Sequence, residues 1–305
     1  MEAFSKVTVI GLGLIGSSIA HATRRGKLAK EIAGFDASAD VRARAAKIGF
    51  CDHIYDDIAA AVKDAKLVIL CTPVGAYKSV AEEMAPHLAA GAILSDVGSV
   101  KGAVIRDVEP FVPASVHFIP AHPIAGTEFS GPEAGFATLF DGRWTILTPL
   151  KGADAAAVAQ LRGFWECLGS QVDEMDATHH DLVLAITSHL PHLIAYNIVG
   201  TAHDLEAVTE GEVIKYSASG FRDFTRIAAS DPTMWRDVFL NNREAVLEVL
   251  GRFNEDLSQL QRAVREGNGQ LLFDTFTRTR AIRKAIIEMG QENPAPNFGR
   301  DQKKS

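Results

Sequence analysis

Short apolar runs rich in β-branched residues alternate with longer amphipathic stretches over the first 176 residues of the chain. Such runs are typical of buried parallel strands, and the stretches between them are long enough for helices on both faces of a sheet. We therefore predict an α/β fold with a Rossmann-like, doubly wound and mostly parallel sheet. Its strands are predicted at 7–10, 32–35, 67–71, 93–97, 116–120 and 144–147.

The pattern changes after Asp176, because apolar positions then recur at helical spacing and no further strand is predicted. A typical helix start follows at 230–232, where Ser or Asp can cap a helix and Pro suits its first turn. We predict a dinucleotide-binding domain over 1–176 and an all-α domain over 177–290. The polar, proline-broken segment 291–305 is expected to form a flexible tail.

Composition narrows the possible functions. The chain has 305 residues, 47% of them hydrophobic, which is enough for two cores. A formal charge of −7 creates no field that would attract nucleic acid or an anionic membrane surface. The three cysteines lack CxxC spacing, so they indicate neither a disulfide framework nor a zinc ribbon. The sequence shows no signal peptide and no run of ~18 apolar residues. We predict a cytoplasmic protein without a metal ion.

A glycine-rich loop directly follows the first predicted strand. Its residues are Gly11, Gly13, Leu14, Ile15 and Gly16. In such a loop Gly11 permits a tight turn, Gly13 lets a pyrophosphate approach, and Gly16 allows the next helix to pack closely, with its free N–H groups facing the phosphates. Asp36 ends the next predicted strand, where a carboxylate binds a ribose 2′-hydroxyl and repels a 2′-phosphate. We predict NAD, rather than NADP, as the cofactor.

Polar motifs follow in a characteristic order: SDVGSVK at 95–101, HPIAGTE at 122–128, SHLPH at 188–192 and GFRDFTRIAASDPTMW at 220–235. Ser99 and His122 each lie just past a predicted strand, at the edge of an α/β sheet where ligands bind. From residue 6 to 290 the chain closely resembles the prephenate dehydrogenase family, which includes arogenate and broad-specificity cyclohexadienyl dehydrogenases.

The resemblance implies NAD-dependent oxidative decarboxylation of prephenate to 4-hydroxyphenylpyruvate in tyrosine biosynthesis, by a homodimer joined through the helical domain. It implies that His122 is the catalytic histidine and that Ser99 shares its hydrogen bond to the substrate hydroxyl. A neutral histidine is suited to accept that hydroxyl proton as hydride leaves for NAD.

By the same resemblance, Arg226 and His192 anchor substrate carboxylates, and the two-pronged guanidinium of Arg226 suits two oxygens. Which carboxylate each residue binds stays open. Glu128, Asp223 and Trp235 match positions that shape and close the pocket. Whether Trp235 serves its own subunit or the partner's also stays open.

Three other functions share some of these sequence features. An arogenate or dual-specificity enzyme fits the same motifs. A β-hydroxyacid dehydrogenase would use a helical lysine, yet the chain has no lysine between Lys151 and Lys215. A non-catalytic NAD-sensing protein need not retain Ser99, His122 and Arg226 together.

The histidines at 179, 180, 189 and 192 could be interpreted as a metal site. No cysteine ligand lies nearby, and hydride transfer needs no metal. We instead expect His180 and His189 to be hydrogen-bonded core or helix-end residues.

Overall fold

The structure is a computed structural model that describes residues 2–127, 129–206, 216 and 218–288. Its chain divides into two compact units, Met1–Leu247 and Glu248–Ser305. The predicted tail, 291–305, lies outside the described residues, and so does Glu128.

A six-stranded, fully parallel sheet forms the centre of the first unit. Its strand order is β3-β2-β1-β4-β5-β6. The order reverses at β1, and doubly wound folds bind dinucleotides beside such a reversal. The strands are β1 Phe4–Ile10, β2 Ala29–Phe35, β3 His53–Tyr55, β4 Leu67–Leu70, β5 Ile93–Asp96 and β6 His117–Phe118.

Helices cover both faces of this sheet, as the continuous apolar strands predict. All four residues of β4 are fully buried. Its first and third residues join the apolar core around Trp165, and its second and fourth join the core around Tyr77. Because side chains alternate across a strand, the two cores lie on opposite faces of the sheet. The helices are α1 Leu14–Gly26, α2 Ala39–Ile48, α3 Ile58–Val62, α4 Tyr77–Met84, α5 Lys101–Val108 and α6 Ala155–Cys167.

A second sheet has three strands in the order β7-β8-β9, with β7 antiparallel to β8 and β8 parallel to β9. The strands are β7 Ala121–Pro123, β8 Trp144–Leu147 and β9 Gln171–Glu174. The prediction that 144–147 extends the parallel sheet was therefore wrong. Pro120 cannot donate to a ladder, and the next N–H, that of Ala121, donates to the Asp96 side chain, so pairing with β5 stops there.

Helices form the rest of the first unit as far as the structure describes it, in agreement with the predicted all-α segment. No strand occurs after Glu174 in the parts of the chain that the structure describes. A π-helical turn, Ala185–His189, lies just before Pro191, where the proline ring and its missing N–H disfavour a regular α-helix. The helices are α7 Ala177–Leu184, α8 Leu190–Glu206, α9 Ser219–Thr225 and α10 Pro232–Asn241.

The described part of the second unit, up to residue 288, is helical as well. Arg243–Arg265 forms α11, which continues into this unit, and Gly269–Glu288 forms α12. None of the residues of α12 is buried, and even its large apolar residues Phe273 and Phe276 are 66% and 55% exposed.

One helical stretch, Ala177–Leu205, is long and apolar enough to cross a membrane by length and composition, with a mean hydropathy of 1.5. Core helices of soluble proteins pass the same test. Only 22% of the apolar window in this stretch is buried, while His180 and Asp181, near its start, are buried and hydrogen-bonded within the unit.

Candidate active site

The glycine-rich loop connects β1 to α1. Gly11 has a φ of +98°, and a Cβ there would lie 2.7 Å from the backbone of Cys71. A Cβ on Gly16 would collide with the carbonyl oxygen of Gly11, whereas one on Gly13 would meet nothing within 4 Å. The packing of the chain therefore requires Gly11 and Gly16. The space beside Gly13 is open, as the approach of a pyrophosphate requires.

The N-terminus of α1 is suited to a negatively charged ligand. Gly13 is its N-cap and offers no side chain to the first N–H groups, which include those of Leu14 and Ile15. The first turn contains no acidic residue. The positive end of the helix dipole therefore faces the open space beside Gly13, so these residues fit a phosphate group.

Asp36 lies at the end of β2, beside this loop. Its Oδ2 accepts a 2.9 Å hydrogen bond from the Leu12 N–H, and its Oδ1 accepts one of 2.9 Å from the Ser38 N–H. Arg42 donates to the carbonyl oxygen of Asp36 rather than to the carboxylate. Each carboxylate oxygen retains a second acceptor position, so Asp36 can accept a ribose hydroxyl.

A buried ion pair joins β5 to α5. The Nζ of Lys101 lies 2.6 Å from Oδ2 of Asp96, and both side chains are 0% exposed. Lys101 also donates to the carbonyl oxygen of Ala121, while Oδ1 of Asp96 accepts the N–H of Ala121 at 3.1 Å. The pair thus holds both backbone polar groups of the residue that precedes His122. Burial lowers the pKa of Lys101, although the carboxylate of Asp96 opposes this shift.

His122 lies in β7 and begins a chain of buried hydrogen bonds. Its Nδ1 lies 2.9 Å from Nε2 of His180, in α7. Nδ1 of His180 in turn lies 2.9 Å from Oδ1 of Asp181. The carboxylate of Asp181 also accepts the N–H groups of Lys101 and Gly102, at 2.7 and 2.8 Å. Three side chains are thus connected in sequence to the N-terminus of α5.

Burial determines the protonation of these histidines. It lowers the pKa of His122 well below 6.5, and the positive charges of His180, when that ring is protonated, and of Lys101 lower it further. Burial also lowers the pKa of His180, while the hydrogen bond to Asp181 opposes that shift. Both rings are therefore neutral at pH 7, and a neutral ring can accept a proton.

A second group of rings lies on the neighbouring helices. The ring of His192 stacks on Trp235, with centroids 3.6 Å apart and planes at 23°. Nδ1 of His192 donates to the carbonyl oxygen of Ser188 at 2.8 Å. Burial lowers the pKa of His192, although the hydrogen bond to Ser188 opposes this shift, and the positive charge of Arg226 lowers the pKa further.

His189 contacts the same tryptophan, edge-on, at a centroid distance of 6.1 Å. Asn242 donates from Nδ2 to Nδ1 of His189 at 3.0 Å and to the carbonyl oxygen of Asp181 at 2.8 Å. Burial lowers the pKa of His189 to about 4. Asn242 therefore connects the ring group to the His122 chain.

The predicted site residues occupy distinct positions. Ser99 is half-buried in the loop between β5 and α5, two residues before Lys101. Asp223 lies within α9 and Arg226 lies at its C-terminal end, and both side chains are exposed. Trp235 stacks on His192 of the same chain. Glu128 lies outside the described residues, so its predicted role stays a prediction, as do the roles of the others.

Sequence reasoning missed the partners of His122. Asp96, Lys101, Asp181 and Asn242 were not proposed as site residues, and His180 was expected only to be a core or helix-end residue. His180 is such a residue, but its partner is the candidate catalytic histidine. A signal was present, because His180 and Asp181 are adjacent polar residues directly before the apolar run 182–184 of the same helix, and buried polar groups require partners.

The residues of the site indicate its chemistry. Among the described residues no group of three or more His, Cys, Asp and Glu side chains is arranged to hold a metal ion. The glycine loop, Asp36 and the neutral His122 together fit a dinucleotide and a proton acceptor. This fold and this site define an NAD-dependent dehydrogenase.

Comparison with known families agrees. Residues 19–174 match the model of the prephenate dehydrogenase nucleotide-binding domain, and residues 176–278 match that of the prephenate dehydrogenase dimerization domain. The chain belongs to the prephenate dehydrogenase family.

Relatives in this family differ in their named substrates. A cyclohexadienyl dehydrogenase of Zymomonas mobilis is 43% identical over 94% of this chain and 97% of its own length. The prephenate dehydrogenase of Aquifex aeolicus, solved with hydroxyphenyl propionate and NAD+, is 34% identical, with a TM-score of 0.85 over 94% of this chain and 98% of its own. The arogenate dehydrogenase of Synechocystis is 28% identical, with a TM-score of 0.78 over 92% and 99%.

Gly13 and Gly16 give a matched pair of variants. Gly13→Ala should raise the Kd for NAD about tenfold or more, because its methyl group enters the open space beside the loop, with an unchanged Tm. Gly16→Ala should lower Tm as well, since its methyl group collides with backbone, and overpacking costs about 1–3 kcal/mol. Fluorescence titration with NAD and thermal unfolding measure both effects. Wild-type NAD affinity in Gly13→Ala would contradict this interpretation of the loop.

Proposed function

We propose that this chain catalyses the NAD-dependent oxidative decarboxylation of prephenate to 4-hydroxyphenylpyruvate, in tyrosine biosynthesis. The observation that carries the proposal is the neutral, buried ring of His122, hydrogen-bonded through its Nδ1. This ring follows β6 in a fold that also carries a dinucleotide loop. Alcohol oxidation requires both a hydride acceptor and a proton acceptor. Bound NAD supplies the hydride acceptor.

His122 supplies the proton acceptor. Its Nε2 takes the proton of the substrate hydroxyl while hydride leaves the carbon that bears this group, and the hydroxyl becomes a carbonyl. Ser99 shares the hydrogen bond to the substrate oxygen. The bond between the substrate ring and its carboxylate then breaks, and the electron pair of that bond makes the substrate ring aromatic as CO2 leaves. The proton held by His122 can return to the phenolate oxygen, which completes the balance.

Arg226 and His192 anchor the substrate carboxylates in this proposal. The packing of the turn Arg226–Ala229 against α8, which carries His192, supports it. Trp235 holds that ring by stacking. Asp223, and Glu128 outside the described residues, would shape and close the pocket. An arginine can bind two carboxylate oxygens at once, which suits a substrate with two carboxylates.

Dual specificity is the second candidate function. It is favoured by the relatives, whose names include cyclohexadienyl and arogenate dehydrogenases. Arogenate has an ammonium group where prephenate has a keto group, so rejection of prephenate would require an acidic group left unpaired. Asp223 and Glu128 are the acids available in the motifs. We expect prephenate to be preferred, with activity on both substrates.

We further propose a cytoplasmic homodimer joined through the helical region 177–290, next to a dinucleotide-binding domain over 1–176. In the second unit, α12 has large exposed apolar side chains and no buried residue. In the first unit, Ile186 and Leu205 are 51% and 52% exposed. Exposed apolar surfaces of this kind mark interaction sites, and the family model names this region a dimerization domain.

A direct assay tests the reaction. NADH formation should be rapid with prephenate and detectable with arogenate. His122→Asn should lower kcat about 10²-fold or more with little change in NAD affinity.

The pH profile of the wild type is a further test. As the pH is lowered from 7, kcat/KM should stay constant past pH 6.5 and decrease only when the pH reaches the lowered pKa of His122, because the protonated ring cannot accept a proton.

Three results would contradict the proposal. They are the absence of NADH formation with both substrates, near-wild-type turnover in His122→Asn, and an arogenate preference above about a hundredfold, which would reverse the assigned substrate.

The dimer is tested by sedimentation. The wild type should sediment as a dimer at micromolar concentrations, and Phe276→Glu should shift it towards monomer, because a charge in an apolar interface is costly. Gln270→Glu, on the same helix, is the matched control for added charge. A monomeric wild type would contradict the proposal.

A further inference from the structure

A histidine accepts a proton only at a ring nitrogen that carries no hydrogen. In a neutral imidazole one nitrogen has the hydrogen and the other has the lone pair. If His122 is to accept the substrate proton at Nε2, its hydrogen must lie on Nδ1. The hydrogen-bond partner of Nδ1 decides between these two tautomers.

Asp181 determines the direction of the whole chain of hydrogen bonds. Its carboxylate accepts the N–H groups of Lys101 and Gly102 and has no hydrogen to donate. Nδ1 of His180, 2.9 Å from Oδ1 of Asp181, must therefore carry a hydrogen and donate it.

His180 passes this direction on to His122. With its hydrogen on Nδ1, the neutral ring of His180 has a lone pair on Nε2. That atom lies 2.9 Å from Nδ1 of His122, which must then be the donor. Nε2 of His122 is left with the lone pair, as a proton acceptor requires. Besides Asp181, the charged and titratable groups acting on these two rings are Lys101, Asp96 and His189.

We propose that His180 and Asp181 are positioning residues, which hold His122 in the tautomer with a free Nε2 and stabilise the imidazolium formed when it accepts the substrate proton. This inference rests on the proposed function, in which His122 is that acceptor. The proton moves from the substrate hydroxyl to Nε2, and Nδ1 of His122 keeps its own hydrogen. The imidazolium of His122 then donates a hydrogen bond to His180, and His180 donates one to the carboxylate of Asp181. The negative charge of this carboxylate offsets the new positive charge. In a site without water such a chain acts more strongly than in solution.

The surrounding fold holds this chain of hydrogen bonds rigidly. The rings of His122 and His180 meet edge-on, at 64° and with centroids 5.1 Å apart. Asn242 binds the backbone carbonyl of Asp181, and the start of α5 binds its carboxylate. The side chain of His180 is 0% exposed, so no water competes for its nitrogens.

Variants at His180 test the proposal through kcat per NAD-binding site. His180→Leu should lower this kcat about 10²-fold, because His122 loses the acceptor for its Nδ1 hydrogen, with KM for NAD within about twofold. His180→Gln should restore at least about tenfold of the loss, since an amide oxygen can accept the same hydrogen. His179→Leu, at the exposed neighbouring histidine, is the matched control and should retain wild-type kcat.

Asp181→Asn tests the charge at the far end of the chain. It should lower kcat per NAD-binding site about tenfold or more, because an amide cannot neutralise the imidazolium. A merely structural role would reduce the number of NAD-binding sites and leave kcat per site unchanged. If His180→Leu does not fold, the Gln and Asn variants decide the question by the same measurement.

Two results would overturn the positioning role alone. One is an active wild type with His180→Leu and Asp181→Asn both within about threefold of it, and the other is equal activity of the Leu and Gln variants. A wild type that forms no NADH with prephenate or arogenate would instead overturn the proposed function, and this inference with it.

Discussion

The arrangement of the candidate active site depends on the buried ion pair between Lys101 and Asp96. This pair connects the end of β5, the start of α5 and the backbone of Ala121, which precedes His122. The same helix start holds the carboxylate of Asp181 through two N–H groups. One end of α5 thus fixes both ends of the histidine chain. Removal of one partner from a buried pair typically costs about 3–5 kcal/mol, because the other charge is left buried and unpaired.

A polar cluster at this depth is stable only because its members are hydrogen-bonded to one another. The carboxylates of Asp96 and Asp181 each accept several N–H groups, and Lys101 donates to two oxygens. The histidines have less compensation for a positive charge, and burial keeps them neutral. The same dry surroundings that make the cluster costly therefore prepare His122 to accept a proton at neutral pH.

The parts of the fold that depend on local sequence could be predicted. The glycine loop and Asp36 follow from spacing around β1 and β2, and continuous apolar runs indicate the parallel strands. Short, polar β9 could not be predicted, because only one of its four residues is partly buried. Strand β8 was assigned to the wrong sheet, since the change of sheet depends on the contact of Asp96 with Ala121, which is invisible in the local pattern.

The contents of the site divide in the same way. Ser99 and His122 could be proposed because both follow strands and lie in recognisable motifs. The contact between His122 and His180 spans 58 residues and joins a strand to a helix, so no periodicity indicates it. The stacking of Trp235 on His192 likewise depends on how α8 and α10 pack. Contacts of this kind are set by tertiary structure and require coordinates.

We infer that the buried network keeps His122 neutral, with its hydrogen on Nδ1. The most direct test is nitrogen-15 NMR of histidine-labelled protein over a pH titration, with the His122 signals assigned from their loss in His122→Asn. We expect the neutral Nδ1–H tautomer at pH 7, with no protonation until the pH is well below 6.5. An imidazolium at pH 7, or a neutral ring with its hydrogen on Nε2, would contradict it.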